Sequence, residues 1–340
     1  MSLPKEETYK TIIDETRQLL IANHEWRERY AAYGTDILNK IDFIREVKSK
    51  FREWAPLRFH INTTNARKTA ASVTFDLSYL GQNVATLSYR RGEFNLSTKS
   101  EKGDDYNFKN KRDFDCEITL DRSPWDGAEA RAFRSHFKNR KPLRNTESER
   151  NNDEKRIESM LLTEFSKNKD KALQNIKPVK IGGFRFPMPT PLLASKKGVV
   201  KYAKKGGGID ILARTGTGGR NTHLCILEVK DENKPSESAD IVIQQALKYT
   251  VFIRELLRSE AGAVWWKLFG FNGAIHDTLL LHTICVMPDN DNVDTFFGGD
   301  KYDIDGDTIE LHYIYFKEAE NKIKITCTSL DYGKQVVTLR

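Results

Sequence analysis

Residues 224–234 read LCILEVKDENK. Leu224, Cys225, Ile226 and Leu227 have the composition of a strand entering a core. Glu228 and Lys230 then set a carboxylate and an ammonium at its end. Side chains at i and i+2 of a strand share one face, so the two charges are neighbours. Burying a charge is unfavourable unless it is paired or bound to a metal, and that condition makes this stretch the place to look for a site.

The tripeptide acid-x-Lys is common, and the chain has four others: Glu46-Val47-Lys48, Asp153-Glu154-Lys155, Glu232-Asn233-Lys234 and Glu320-Asn321-Lys322. Glu46 and Lys48 fall in a helical pattern, where i and i+2 do not face each other. The remaining three lie in polar surroundings that suit turns or helix starts. Only Glu228 and Lys230 close an apolar run.

Working outward, KKGGGIDILAR places Asp210 at a strand start, and TGTGGRN supplies a glycine-rich turn between it and residues 222–229. A hairpin over 208–214 and 222–229 brings Asp210 beside Glu228. A helix over 153–167, with Ile157, Met160, Leu161 and Phe165 as its apolar stripe, adds Glu158, with Glu154 one turn earlier. Two carboxylates about 4 Å apart repel by roughly 4 kcal/mol at an effective dielectric of about 20, and Lys230 offsets only part of that. A divalent cation offsets it well. Mg²⁺, or Mn²⁺ in its place, takes one or two carboxylates, and the backbone carbonyl of Val229 completes the protein's share. Lys230 is then placed to position or deprotonate a water, or to stabilise charge developing on a phosphate.

The coarse order after residue 153 is helix, strand (178–186), hairpin, long helix (238–258, opened by Ser236 or Ser238 as cap) and a strand over 278–287. TLLLHTICVM in that last strand is apolar on both faces, which suits a central position. Asp210 followed by Glu228-Val229-Lys230 in this order resembles the PD-(D/E)XK nuclease superfamily, the restriction-endonuclease-like fold. Ile209 stands where the name-giving motif has Pro. The resemblance spans residues 153–287 and implies an αβββαβ core with a mixed sheet and Mg²⁺-dependent phosphodiester hydrolysis. It makes Asp210 and Glu228 metal ligands and Glu158 the helix carboxylate. QQALKYTVF carries Gln245 four residues before Tyr249, a spacing similar to that of some RecB-like members. Gln245 is therefore expected to orient Lys230.

The fold class expected for the whole chain is α/β, α+β overall, in two modules. Residues 1–145 form an α+β domain with helices over 5–30 and 36–54 and strands near 57–62, 71–80, 84–90 and 114–120. NRKPLRNTESERNND, residues 139–153, serves as the linker, and residues 146–340 form the nuclease-like domain with a C-terminal strand extension.

Net charge is +7, and it is uneven. Lys171 to Ile209 contains nine basic residues and no acidic one. Such a surface suits a polyanion. The stretch 194–208 brings Lys196, Lys197, Lys201, Lys204 and Lys205 just ahead of Asp210, as a flap over a nucleic-acid backbone. A short helix in DGAEARAFRSHFK places Arg131, Arg134 and Lys138 on one face, with Phe133 and Phe137 on another. DNA is the expected substrate, since no feature favours RNA. A homo-oligomer is compatible with the sequence.

Other chemistries find no support. TGTGGR lacks the spacing of a P-loop, no GxSxG occurs, and no histidine pair shows HxH or HExxH spacing. DIDGDTIE, residues 303–310, does not fit an EF-hand loop and reads as a hairpin turn at Asp305-Gly306. The four dispersed cysteines suit a reducing cytoplasm, and no apolar run is long enough for a membrane helix. Two rival readings remain: an inactive nucleic-acid-binding protein of the same fold, and an interaction protein whose basic runs serve solubility.

Overall fold

The computed structural model describes residues 5–50, 56–62, 72–79, 82–98, 116, 118–139, 153–165, 175–194, 200–203, 206–216, 221–231, 237–289, 295–319 and 322–330. The protein is mixed α/β. It forms two compact units that interleave along the chain: Met1–Ala31, Met160–Val179 and Pro187–Arg340 in one, Ala32–Ser159 and Lys180–Phe186 in the other. Two consecutive modules divided at 145/146 were expected instead.

Helices α1 (Lys5–Ala22), α2 (Trp26–Asn39) and α3 (Ile41–Lys50) open the chain, where two longer helices were expected. The first break has a local cause. Asn23 Nδ2 donates to the Leu19 carbonyl at 2.8 Å and the Trp26 indole N–H to that of Leu20 at 3.0 Å. These bonds satisfy carbonyls that a helix end leaves without partners.

The smaller unit is built on a sheet of β1 (Arg58–Ile61), β2 (Ser72–Tyr79), β3 (Gln82–Arg90), β4 (Glu93–Ser97) and β5 (Ser123–Pro124). The described residues of the segment expected as a strand over 114–120 are not strand; Leu120 instead exchanges bonds with Thr98. Helices α4 (Ala128–Asn139) and α5 (Asp153–Phe165) follow. The single strand expected over 178–186 is three short ones: β6 (Lys177–Pro178), β7 (Lys180–Ile181) and β8 (Phe184–Arg185). Gly182 and Gly183, at φ 57° and 90°, turn the chain back on itself there. β6 joins the larger unit's sheet, while β7 and β8 complete the smaller one, in the order β5-β4-β3-β2-β1-β8-β7. Phe59, Phe75, Leu77, Phe133, Phe137 and Phe184 are fully buried in this unit.

The larger unit continues with β9 (Leu192–Leu193), β10 (Lys201–Tyr202), β11 (Ile211–Gly216), β12 (Thr222–Val229), α6 (Ala239–Leu257) and α7 (Gly262–Leu268). It ends with β13 (Leu280–Pro288), β14 (Lys301–Ile304), β15 (Asp307–Ala319) and β16 (Lys322–Thr328). Its sheet runs β14-β15-β13-β12-β11-β6, with β16 also on β15. β6, β11 and β12 pair antiparallel, while β13 lies parallel to both β12 and β15. A strand flanked in parallel on both sides reads as a nearly continuous apolar run, as expected for the central strand: from Leu281 to Pro288 every residue is buried, the polar His282 and Thr283 among them.

Ser238 is the N-cap of α6, though its side chain makes no capping bond. The helix is buried on nearly every side. Thr283 of β13 donates to Thr250 at 2.7 Å on the sheet side. On the α1 side, Tyr9 donates to Asp240 at 2.7 Å, and Trp26 and Tyr30 set their rings against Phe252. At its C-terminal end, Arg254 Nε and Arg258 Nε donate to Asp307 Oδ2 at 2.8 and 2.9 Å, and the Leu279 N–H to Oδ1 at 2.8 Å. Asp307 follows the turn Asp305-Gly306, whose φ values of 51° and 88° suit a tight hairpin between β14 and β15, as the sequence led us to expect.

Candidate active site

The acidic pair stands on the β11–β12 hairpin. Ile211 lies opposite Leu227, so the next rung sets Asp210 opposite Glu228, and residues opposite each other in an antiparallel ladder share a face. Asp210 Oδ2 accepts the backbone N–H of Val229 at 2.9 Å, which fixes that carboxylate against the end of β12. Glu228 Oε1 accepts from Lys230 Nζ at 3.0 Å, with both side chains more than nine-tenths buried. Glu237 Oε2 is 3.8 Å from the same ammonium. The Lys230 backbone is held too, its N–H bonded to the Val286 carbonyl at 2.9 Å. The ladder to β13 thus extends one residue past Val229, the last of β12, and fixes the residue that carries the amine.

Helix α6 covers this end of the sheet. Gln245 and Tyr249 stand one turn apart on one face of it, both buried. Burial, then the charges of Glu228 and Asp210, raise the Tyr249 phenol well above its usual pKa, while the Ala194 backbone and Lys230 act against the rise. One phenol therefore senses both carboxylates and the ammonium, which draws Asp210, Glu228 and Lys230 into a single electrostatic neighbourhood. Gln245 Oε1 finds no hydrogen-bond partner among the described residues. A buried amide oxygen in that state is unfavourable, and it is the kind of group that a water or ligand in the site would satisfy.

The chain ahead of Asp210 folds over the same phenol. Gly207 accepts from Thr190 N–H and donates to the Leu192 carbonyl, both at 2.9 Å. A Cβ at Gly207 would stand 3.0 Å from the Tyr249 hydroxyl, so the absence of a side chain there allows the backbone to approach. Lys201, on β10 in the same segment, is exposed. Lys196, Lys197, Lys204 and Lys205 lie outside the described residues.

The other expected residues fall in the smaller unit. Glu158 on α5 accepts from Lys155 Nζ at 2.9 Å. Arg131 and Lys138 on α4 are exposed, as a phosphate-facing stripe requires. Arg134 is not, and its expected place in that stripe is corrected. Ala130, Phe133, Arg134 and Phe137 together form the buried face of α4. The Arg134 guanidinium lies over the Trp125 ring, 4.2 Å from its centroid, and Nη1 donates to the Trp125 carbonyl. Burial, and after it Arg131, hold its pKa below the ordinary arginine range. Helical spacing made 131, 134 and 138 neighbours, but position 134 also adjoins the apolar stripe, and the aromatic ring took it.

The sequence did not single out Glu237 or the phenol of Tyr249 as parts of the site. Glu237 carries no motif. Tyr249 was noticed only for its spacing from Gln245. No helix among the described residues is long and apolar enough to cross a membrane. No protein-family model, curated protein or solved structure matches the chain.

Proposed function

We propose that the protein is a metal-dependent nuclease that hydrolyses phosphodiester bonds, most naturally those of DNA. The observation that carries this reading is the convergence at the β11–β12 hairpin: Asp210 tied to the Val229 N–H, Glu228 against Lys230, and the buried Tyr249 sensing all three. The strand pattern supports it. With the four short strands β7 to β10 set aside as insertions, the order α5, β6, β11, β12, α6 and β13 agrees with the αβββαβ order expected of a restriction-endonuclease-like core.

Asp210, Glu228 and the Val229 carbonyl would hold Mg²⁺ or Mn²⁺, and their all-oxygen donor set fits such a hard cation. When bound, the ion would polarise the scissile phosphate and lower the pKa of a coordinated water. The chain's own groups do the rest. The Val229 N–H holds one oxygen of Asp210 and so fixes that carboxylate against the end of β12. Glu228 and Glu237 keep the Lys230 ammonium at the strand end, where it orients the attacking water or donates to a phosphate oxygen. Tyr249 keeps its proton at neutral pH and serves as a further donor. Gln245 acts as a positioning residue for Lys230.

Incubating the full chain with supercoiled plasmid and Mg²⁺ or Mn²⁺ tests the reading. Nicking or linearisation that EDTA stops is the expected result, and intact plasmid with both metals overturns it. Gln245→Leu is expected to lower the cleavage rate by about 10–100-fold, the usual effect of a residue supporting a metal site, with the melting temperature little changed. Lys201→Ala is expected to weaken binding to all duplex sequences alike and to reduce the salt slope of binding by about one, as measured by titration over a salt series.

A further inference from the structure

A second cluster lies on the opposite face of the larger unit's sheet. His282 on β13 pairs in register with Glu310 on β15, and His312 follows Glu310 two residues along the same strand, so all three share one face. Thr283, the neighbour of His282, faces α6; alternation therefore sends His282 to the other side, away from Glu228 and Lys230. We infer that His282, Glu310 and His312 form a binding site for one divalent transition-metal ion, zinc by the chemistry of its ligands.

The geometry carries this. His282 Nδ1 and His312 Nε2 are 3.0 Å apart. Glu310 Oε2 is 3.9 Å from His282 Nδ1, and Oε1 is 3.8 Å from His312 Nε2. Ligands of a tetrahedral zinc ion at about 2.0–2.1 Å stand roughly 3.3 Å from one another. The three separations bracket that value, so small side-chain rotations bring all three atoms onto one ion. Two neutral imidazoles and one carboxylate form the open three-ligand set that zinc accepts, leaving a fourth position free, while nitrogen donors disfavour Mg²⁺ and Ca²⁺.

The surroundings agree with a built site. His282 is fully buried and His312 nearly so. The other ring nitrogen of His312, Nδ1, is 3.1 Å from Ser329 Oγ. A bond from the far nitrogen is what fixes the tautomer of a metal-bound histidine and directs its lone pair at the metal. Lys301 Nζ is 3.8 Å from Glu310 Oε2, but its side chain is largely exposed and free to turn outward when a cation arrives. A cavity of about 340 Å³, lined by His223, Leu281, Lys301 and Thr308 among others, borders the cluster through two of its neighbours, Lys301 and His223. His223 also sets its ring 5.5 Å from that of His282.

The test uses the full chain, stripped with EDTA, exposed to a small excess of Zn²⁺, desalted and assayed for bound metal by mass spectrometry. One equivalent per chain is expected in the unaltered protein and in Glu228→Gln. At least about a 100-fold loss of zinc affinity is expected in Glu310→Gln and in His312→Ala, since losing a ligand should exceed the 10–100-fold effect of losing its supporting partner. Co²⁺ in place of Zn²⁺ should give visible ligand-field bands in the first two proteins and not in the last two. Glu310 is partly exposed, so Glu310→Gln tests the site even where His312→Ala fails to fold. No bound zinc in the unaltered protein would mean that the imidazoles merely hydrogen-bond to each other, which overturns the proposal. Zinc retained by Glu310→Gln but lost from Glu228→Gln overturns it as well, by placing the ion at the other carboxylates.

Discussion

Lys230→Met is expected to lower Mg²⁺-dependent DNA cleavage by roughly 10²–10⁴-fold, the range for losing a positioned proton-transfer or charge-stabilising group. The effect must be separated from damage to the fold. Lys230 and Glu228 are a buried pair at 3.0 Å, and removing one partner from such a pair leaves a buried charge behind, at about 3–5 kcal/mol. Glu237 at 3.8 Å worsens this by adding a second carboxylate. Part of any loss in the single variant will therefore be instability. The double variant Glu228→Gln/Lys230→Met removes both charges together and should recover much of the stability while remaining inactive. Cleavage rates compared with urea melts of the three proteins decide the matter. A stable double variant that still cuts at the original rate would remove these residues from the chemistry. A well-folded single variant with full activity would do the same for Lys230.

The second large effect concerns stability. Asp307→Ala is expected to destabilise the larger unit by about 3–5 kcal/mol. Asp307 is almost fully buried and receives Arg254, Arg258 and the Leu279 N–H on its two oxygens. Without it Arg258 loses its carboxylate partner, and Arg254 is left with Glu255 and Asp305. Burial alone would raise the pKa of Asp307, but the bonds from Arg258, Leu279 and Arg254 outweigh it and hold the pKa below the usual aspartate value. A lowered folded-state pKa contributes stability that is fully present above the unfolded value, near pH 4, and is lost as pH falls through the folded one. The unaltered protein should accordingly lose urea resistance below about pH 4, and Asp307→Asn should flatten that part of the profile. An unchanged midpoint in Asp307→Ala would show the cluster to be dispensable.

How much of this could be seen in the sequence depends on the range of the forces involved. Residues 222–229, 239–257 and 280–288 were legible because their patterns are local: an apolar run closed by charges, a long helical stripe, and a run apolar on both faces. Asp210 and Glu228 were legible because a glycine-rich turn fixes hairpin partners. What escaped was set by contacts distant in sequence. One apparent strand is divided at Val179, β6 going to one sheet and the β7–β8 hairpin to the other, and nothing nearby says which sheet takes which part. Arg134 reads as a surface cation until Trp125 offers it a ring. The histidines 282 and 312, thirty positions apart, show no ligand spacing because β13 and β15 become neighbours only through the parallel sheet.

Helix α1 packs Tyr9, Ile12, Ile13 and Leu20 into the larger unit, and Tyr9 and Arg17 bond to Asp240 and Glu255 of α6. During synthesis α1 thus waits for a partner made more than two hundred residues later. At about 5–20 residues per second that delay is on the order of 12–48 s, during which its oily side has no native cover. Splitting the chain near position 146 for separate expression would make the wait permanent. The downstream piece would then carry an uncovered stripe along α6 and should aggregate, and supplying residues 1–31 as a separate peptide is the natural remedy to try.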